Sequence, residues 1–343
     1  MQDLKELVLE ELRAVLRSWQ EPEFRAGQIF SWVYKKGVLD FEAMANLPQA
    51  LRLKLKENFS LCSLKIVQAL EAGDGTKKLL FELKDKNLIE GVLIPARGRV
   101  TACISTQAGC KFACRFCASG ALGFRRNLTC AEILDEAVLL KNNSTGNKLT
   151  HIVFMGTGEP LDNYANLLKA IRVINADYAL NIGSRRITIS TCGIIPGIMK
   201  LMNEGLQIEL SVSLHASDDK TRSLILPVNR KYPLADLIAA CKEYIRKTGR
   251  QVTFEYILIK GLNSSLRNAE DLVKILKPVR LAKVNLIPAN PVPELKVEPP
   301  DKPEAGVFKN YLLKSGINVT FRTPRGQDIE AACGQLRLRY EKK

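Results

Sequence analysis

The stretch VTACISTQAGCKFACRFCASG, residues 100–120, decides how the chain is read. Its first half has the β-branched and small side chains of a strand, and its second half delivers Cys110, Cys114 and Cys117 within eight positions. Four thiolates close a tetrahedral cage, whereas three leave one coordination position open for chemistry. Structural zinc needs a second ligand pair at defined spacing, and neither His151 nor His215 supplies one. Three thiolates on three corners of an iron-sulfur cubane leave the fourth iron free for an exogenous ligand, so the spacing favours iron-sulfur over zinc.

Outward from this stretch, strand and helix patterns take turns. HIVFMG (151–156) reads as a strand, followed by a helix from Asn163; RRITIST (185–191) is followed by a helix from Pro196; and IELSVSLH (208–215) by a helix over 233–247. The alternation continues through QVTFEYILI (251–259), a helix from Asn268, AKVNLIP (282–288), a helix over 301–315 and INVTF (317–321). Repeated βα units imply a parallel sheet covered by helices, and the unusual residues all fall at strand C-terminal ends, the edge where active sites of such folds assemble. Ahead of residue 100 the pattern differs. Residues 1–70 carry three helix-patterned segments and read as a small helical domain, and 71–99 read as a β-rich extension leading into the unit over 100–343.

The chain has 343 residues, 46% of them hydrophobic, enough for one barrel-sized domain with an appendage. A formal charge of +15 makes nucleic acid the first partner to consider, and 6% aromatics leaves phosphate contacts as the larger expected contribution over base stacking. The first residues show neither a basic leader nor an apolar run, and no stretch approaches the eighteen or so apolar residues of a membrane span, so a cytoplasmic protein away from membranes is expected. Nine cysteines, an odd and scattered set, read mainly as reduced thiols.

A three-cysteine loop after the first barrel strand, followed by GEP after the second, resembles the radical S-adenosylmethionine (SAM) superfamily. GCKFACRFCASGALGFRRNLT, FMGTGEPLDN, RRITISTCG, SVSLHA, VNLIPANP and RGQDIEAACGQL, in that order, together resemble the RlmN family of adenine-C2 RNA methyltransferases. The resemblance implies an α/β fold, a partial (β/α)6 TIM-like radical SAM barrel with the small N-terminal helical domain as an RNA-binding accessory. It implies a [4Fe-4S] cluster on Cys110, Cys114 and Cys117, and two SAM molecules per turnover. Gly158, Glu159, Ser190, Ser213, Leu214, His215 and Asn290 match the SAM-binding positions, with His215 assigned to binding rather than proton transfer.

The implied chemistry answers a difficulty, since adenine C2 is electron-poor and cannot attack a sulfonium methyl as a nucleophile. In the family a first SAM methylates a cysteine, here matched by Cys333, and a radical derived from a second SAM activates that thioether methyl for addition to C2. Glu90 then matches the general base that removes the C2 proton, and Cys103 the thiol that attacks the Cys333 sulfur, forming a disulfide and releasing product. The substrates implied are an adenosine of 23S rRNA and the adenosine next to the anticodon of some tRNAs. An electron donor such as flavodoxin or ferredoxin, and action as a monomer, are expected. The alternatives are a Cfr-type enzyme acting at adenine C8, another radical SAM enzyme, for instance one acting on peptides, and, more remotely, a non-enzymatic RNA-binding protein with structural zinc.

Overall fold

The computed structural model describes residues 1–121, 123–290, 297–322 and 325–329. Its centre is a ten-stranded sheet whose spatial order follows the sequence. The strands are β1 (Leu64–Glu71), β2 (Lys77–Leu83), β3 (Leu88–Ala96), β4 (Arg99–Cys103) and β5 (His151–Phe154). They continue through β6 (Ile187–Thr191), β7 (Glu209–Ser213), β8 (Val252–Leu258), β9 (Ala282–Pro288) and β10 (Asn318–Phe321). From β1 to β4 neighbours run antiparallel, as short turns require; from β4 to β10 they run parallel, each crossover using a helix. Strand β4 is therefore the seam between a meander and six βα units, and β10 is a seventh parallel strand beyond them.

The helices of the N-terminal segment are α1 (Leu9–Ser18), α2 (Arg25–Phe30), which runs on into a π-helical turn over Ser31–Lys36, and α3 (Gln49–Asn58). The crossover helices are α4 (Cys130–Asn142), α5 (Tyr164–Asn175), α6 (Ile195–Leu201), α7 (Asp219–Ile225), α8 (Leu234–Thr248), α9 (Leu266–Leu276) and α10 (Lys302–Lys314). Strand β1 begins at Leu64, ahead of residue 71 where the sequence pattern changes to alternation. LKIVQALE spaces its apolar residues irregularly, and the bulge between Ile66 and Gln68 accounts for the lost period.

Helix α4 explains how the N-terminal segment attaches. Thr129 and Glu132 form its capping box, and every residue from Cys130 to Leu140 is buried, because the helix lies between the sheet and the N-terminal elements. Its Asp135 carboxylate meets the fully buried Lys5 ammonium at 2.7 Å and accepts from the Ser63 N–H at 2.6 Å. Lys5 also donates to the Leu61 carbonyl, and Ala131 N–H donates to Glu6. One apolar core runs unbroken from Leu4 to Ile317. No helix is long and apolar enough to cross a membrane among the described residues.

Candidate active site

Beyond β4 the chain runs directly through Ile104–Gln107 into the cysteine loop, and three backbone bonds lash this run to the end of β5. Gly156 N–H donates to Ile104 O at 3.0 Å, and Thr106 and Gln107 N–H donate to Thr157 O at 2.9 and 3.1 Å. The loop itself is closed by a two-stranded ribbon, Gln107–Gly109 against Phe124–Asn127, which the sequence pattern did not reveal. Gly109 has φ +75°, and a Cβ there would overlap the Gly123 carbonyl, so this crossing demands glycine. Within the loop Cys117 N–H donates to Cys114 O, and Arg115 N–H reaches across to Ile225 O at the end of α7.

Cys110, Cys114 and Cys117 are all half-buried on this one loop. Cys114 packs with Phe112 and Phe116 against an apolar patch of Ile225, Leu226 and Ile257. Burial, and then the neighbouring thiols and carboxylates, push the Cys110 thiol up to about 12 and Cys114 up as well. Among the described residues no three His, Cys, Asp or Glu side chains converge on a single ion. A cubane asks for something different, one thiolate for each of three separate irons, with an apolar surround; the loop offers that donor set and that surround.

The GEP turn docks against the base of the loop. Gly158 has φ +107°, and a Cβ there would lie 2.5 Å from Gln107 Cβ, which makes glycine obligatory for this approach. Gln107 accepts from Glu159 N–H at 2.8 Å and donates to Asn127 and Asp162, while Lys111 of the cysteine loop pairs with Asp162 at 2.6 Å. The Glu159 side chain is 4% exposed and bridges two strand ends: it accepts from Leu161 N–H at 3.0 Å and from Cys192 N–H at 2.7 Å. Burial pushes this carboxyl upward while those donors oppose the shift. Glu159 is thus a strut between β5 and β6 as well as a candidate for the methionyl ammonium, a double role its position in the sequence did not disclose.

Along the same edge Ser190 and Ser213 are half-buried and Leu214 is buried. Asn290 is exposed after β9. His215 has φ +58°, is buried, and accepts the Ile257 N–H on Nδ1 at 3.0 Å, which leaves its proton on Nε2. Burial first, and the Arg222 charge second, pull it down to about 3, so it is neutral and suited to binding.

Arg222 organises this edge from the interior, a role that nothing local to α7 marks in the sequence. Fully buried, it donates to the carbonyls of Cys192 at 2.8 Å, Ser213 at 3.0 Å and Leu214 at 3.1 Å, and to Asn229 Oδ1 at 2.7 Å. One guanidinium thereby spans the ends of β6 and β7.

Strand register puts Glu90 and Cys103 on one face of the sheet. Val92 stands opposite Cys103 across β3 and β4, Glu90 lies two residues from Val92, and so both side chains share one face. Ser105 continues the pairing by donating its hydroxyl to Glu90 O at 2.8 Å. Cys103 is 8% exposed and Glu90 4%. Cys333 lies outside the described residues.

Comparison with known proteins follows the same lines. A family model described as the Radical SAM superfamily matches residues 104–276, and one described as the ribosomal RNA large subunit methyltransferase N-terminal domain matches residues 2–61. The chain is 46% identical to a probable dual-specificity RNA methyltransferase RlmN of Dictyoglomus thermophilum, covering 100% of this chain and 98% of the relative. It is 47% identical to a protein of that same name from Clostridium tetani, covering 100% and 97%. The crystal structure of a radical SAM methyltransferase from Sphaerobacter thermophilus superposes with a TM-score of 0.94 at 43% identity, over 98% of this chain and 99% of that one.

Proposed function

Because the chain belongs to the RlmN family of radical SAM RNA methyltransferases, we propose that it methylates C2 of a specific adenosine in 23S rRNA and of the adenosine next to the anticodon in some tRNAs. The observation that carries this reading is the unbroken run from Cys103, on the face it shares with Glu90, into the loop of Cys110, Cys114 and Cys117. A [4Fe-4S] cluster and SAM, when bound, supply the electron and the radical that activate a methyl group held on sulfur.

The chain's own residues do the rest. Cys110, Cys114 and Cys117 hold the cluster, and the β5, β6, β7 and β9 ends hold SAM through Gly158, Glu159, Ser190, Ser213, Leu214, His215 and Asn290. The buried apolar patch beside Cys114 keeps water from the reacting groups. Cys333 carries the methyl as a thioether, Glu90 accepts the C2 proton, and Cys103 attacks the Cys333 sulfur to free the RNA. The resulting disulfide requires a reducing compartment, for which the cytoplasm suits, and a flavodoxin or ferredoxin is a fitting electron source for a monomeric enzyme. The +15 charge supplies the grip on RNA phosphates.

The test is anaerobic purification followed by turnover on 23S rRNA fragments and tRNA, with mass spectrometry of the product nucleosides. A brown protein with about four irons per chain that yields 2-methyladenosine is expected. A methyl at C8 would transfer the chain to the Cfr-type reading, and a colourless one-zinc protein would end the enzymatic one.

A further inference from the structure

Glu90 stands in surroundings that oppose its use as a base. At 4% exposure, a carboxylate loses most of its hydration and tends to take up a proton. Behind it, on the helix side of the sheet, Glu136 of α4 lies fully buried, so close to the strand that a Cβ on Gly91 would sit 2.8 Å from its Oε1. Glu136 accepts from Ser105 N–H at 2.9 Å, and any negative charge it carries discourages ionisation of Glu90. Cys103 of β4, on Glu90's own face, adds a third acidic group.

Among the described residues a cation stands beside Glu90. Lys78 of β2 stands opposite Val92, hence on the same face as Glu90 and Cys103, with its side chain 0% exposed. Its Nζ lies 3.8 Å from Glu90 Oε2, close enough for a strong charge interaction in a poorly screened place and too long for a direct hydrogen bond. A lysine with no solvent contact is costly to bury, and joining two neighbouring strands does not require one. Its location beside the residues that would handle the C2 proton gives it a purpose.

We propose that Lys78 is a positioning residue for Glu90, its buried ammonium keeping that carboxylate ionised so that it can take the proton from adenine C2. This rests on the reading of Glu90 as the general base. In the step itself the C2–H bond breaks, the proton passes to a Glu90 oxygen, and the bonding pair stays with the adenine fragment. Lys78 keeps its proton throughout.

The experiment follows the covalent protein–RNA adduct on denaturing gels across pH, in the cluster-loaded enzyme. Glu90→Gln should accumulate adduct at every pH. Lys78→Met should accumulate about tenfold more than the wild type at neutral pH and resolve it only when the pH is raised by about one to three units, while Lys78→Arg restores the wild-type profile. A wild-type profile in Lys78→Met, with adduct still trapped by Glu90→Gln, overturns the role of Lys78 and leaves the base assignment standing. No adduct in Glu90→Gln overturns both. If Lys78→Met does not fold, infrared difference spectra of the wild type against Glu90→Gln at pH 7 decide it: a carboxylate band supports the proposal and a protonated-acid carbonyl band overturns it.

Discussion

The ring of Phe116 stands edge-on to the imidazole of His215, centroids 4.7 Å apart and planes at 83°. This contact joins the cysteine loop to the end of β7, so the groups that would hold the cluster and those that would hold SAM are packed as one body. Such pairs contribute about 0.5–1.5 kcal/mol beyond simple burial. Phe116→Leu should therefore weaken SAM binding by about three- to tenfold while leaving iron content unchanged, measured by calorimetry and iron assay. Equal affinity in the two proteins would argue against the coupling.

His215 also sets an acid limit. Its folded pKa lies near 3, below the unfolded value, so between about pH 6.5 and 3 the unfolded chain binds a proton that the native state refuses. The stability it confers is complete above pH 6.5 and is lost as pH falls, at up to about 1.4 kcal/mol per pH unit. His215→Asn, which tolerates the left-handed backbone there, should lose stability less steeply with acid. Parallel melting profiles over this range would contradict the assignment.

The cysteine loop depends on a glycine remote from the thiols in role. Gly109→Ala places a methyl against the Gly123 carbonyl at positive φ, a strain of about 1–3 kcal/mol focused on the ribbon. Iron per chain should fall severalfold with the far-ultraviolet circular dichroism preserved. Full iron loading would show that the ribbon is dispensable.

The N-terminal segment is expected to be inseparable from the barrel. Lys5→Met leaves the buried Asp135 without its cation and should cost about 3–5 kcal/mol in urea unfolding, whereas Lys5→Met with Asp135→Leu should recover most of that loss. Similar losses in the single and double variants would refute the pairing.

Affinity for RNA should fall by roughly a thousandfold between about 50 and 200 mM salt if about six phosphates are engaged. A flat response, followed by filter binding, would move the recognition away from the phosphates.

The strand and helix alternation after residue 100 was legible because each element carries its own period. The structure places β5 to β10 and their helices where the pattern predicted, within a few residues. Glycines 109 and 158 could be read only in part, since what excludes a side chain is Gly123 in one case and Gln107 in the other, each distant in sequence. The buried roles of Arg222, Lys78 and Glu136 were illegible for a stronger reason. A buried charge is recognisable only by its partners, and those of Arg222 are backbone carbonyls that carry no residue signature. Helix α7 escaped notice because SDDKTRSLI is short and mostly polar, held by Asp218 at its N-cap rather than by an apolar stripe.

Strand β4 belongs at once to the meander and to the parallel half, and the alternation along it is a parity rule for the enzyme. Sliding β3 by one residue against β4 would turn Glu90 toward the helices and leave the cysteine loop, anchored on the far side of the seam, in place. On the roles proposed above for Glu90 and the cysteine loop, such a molecule would keep its cluster site and lose its base, so the two would be separable at a single ladder of hydrogen bonds.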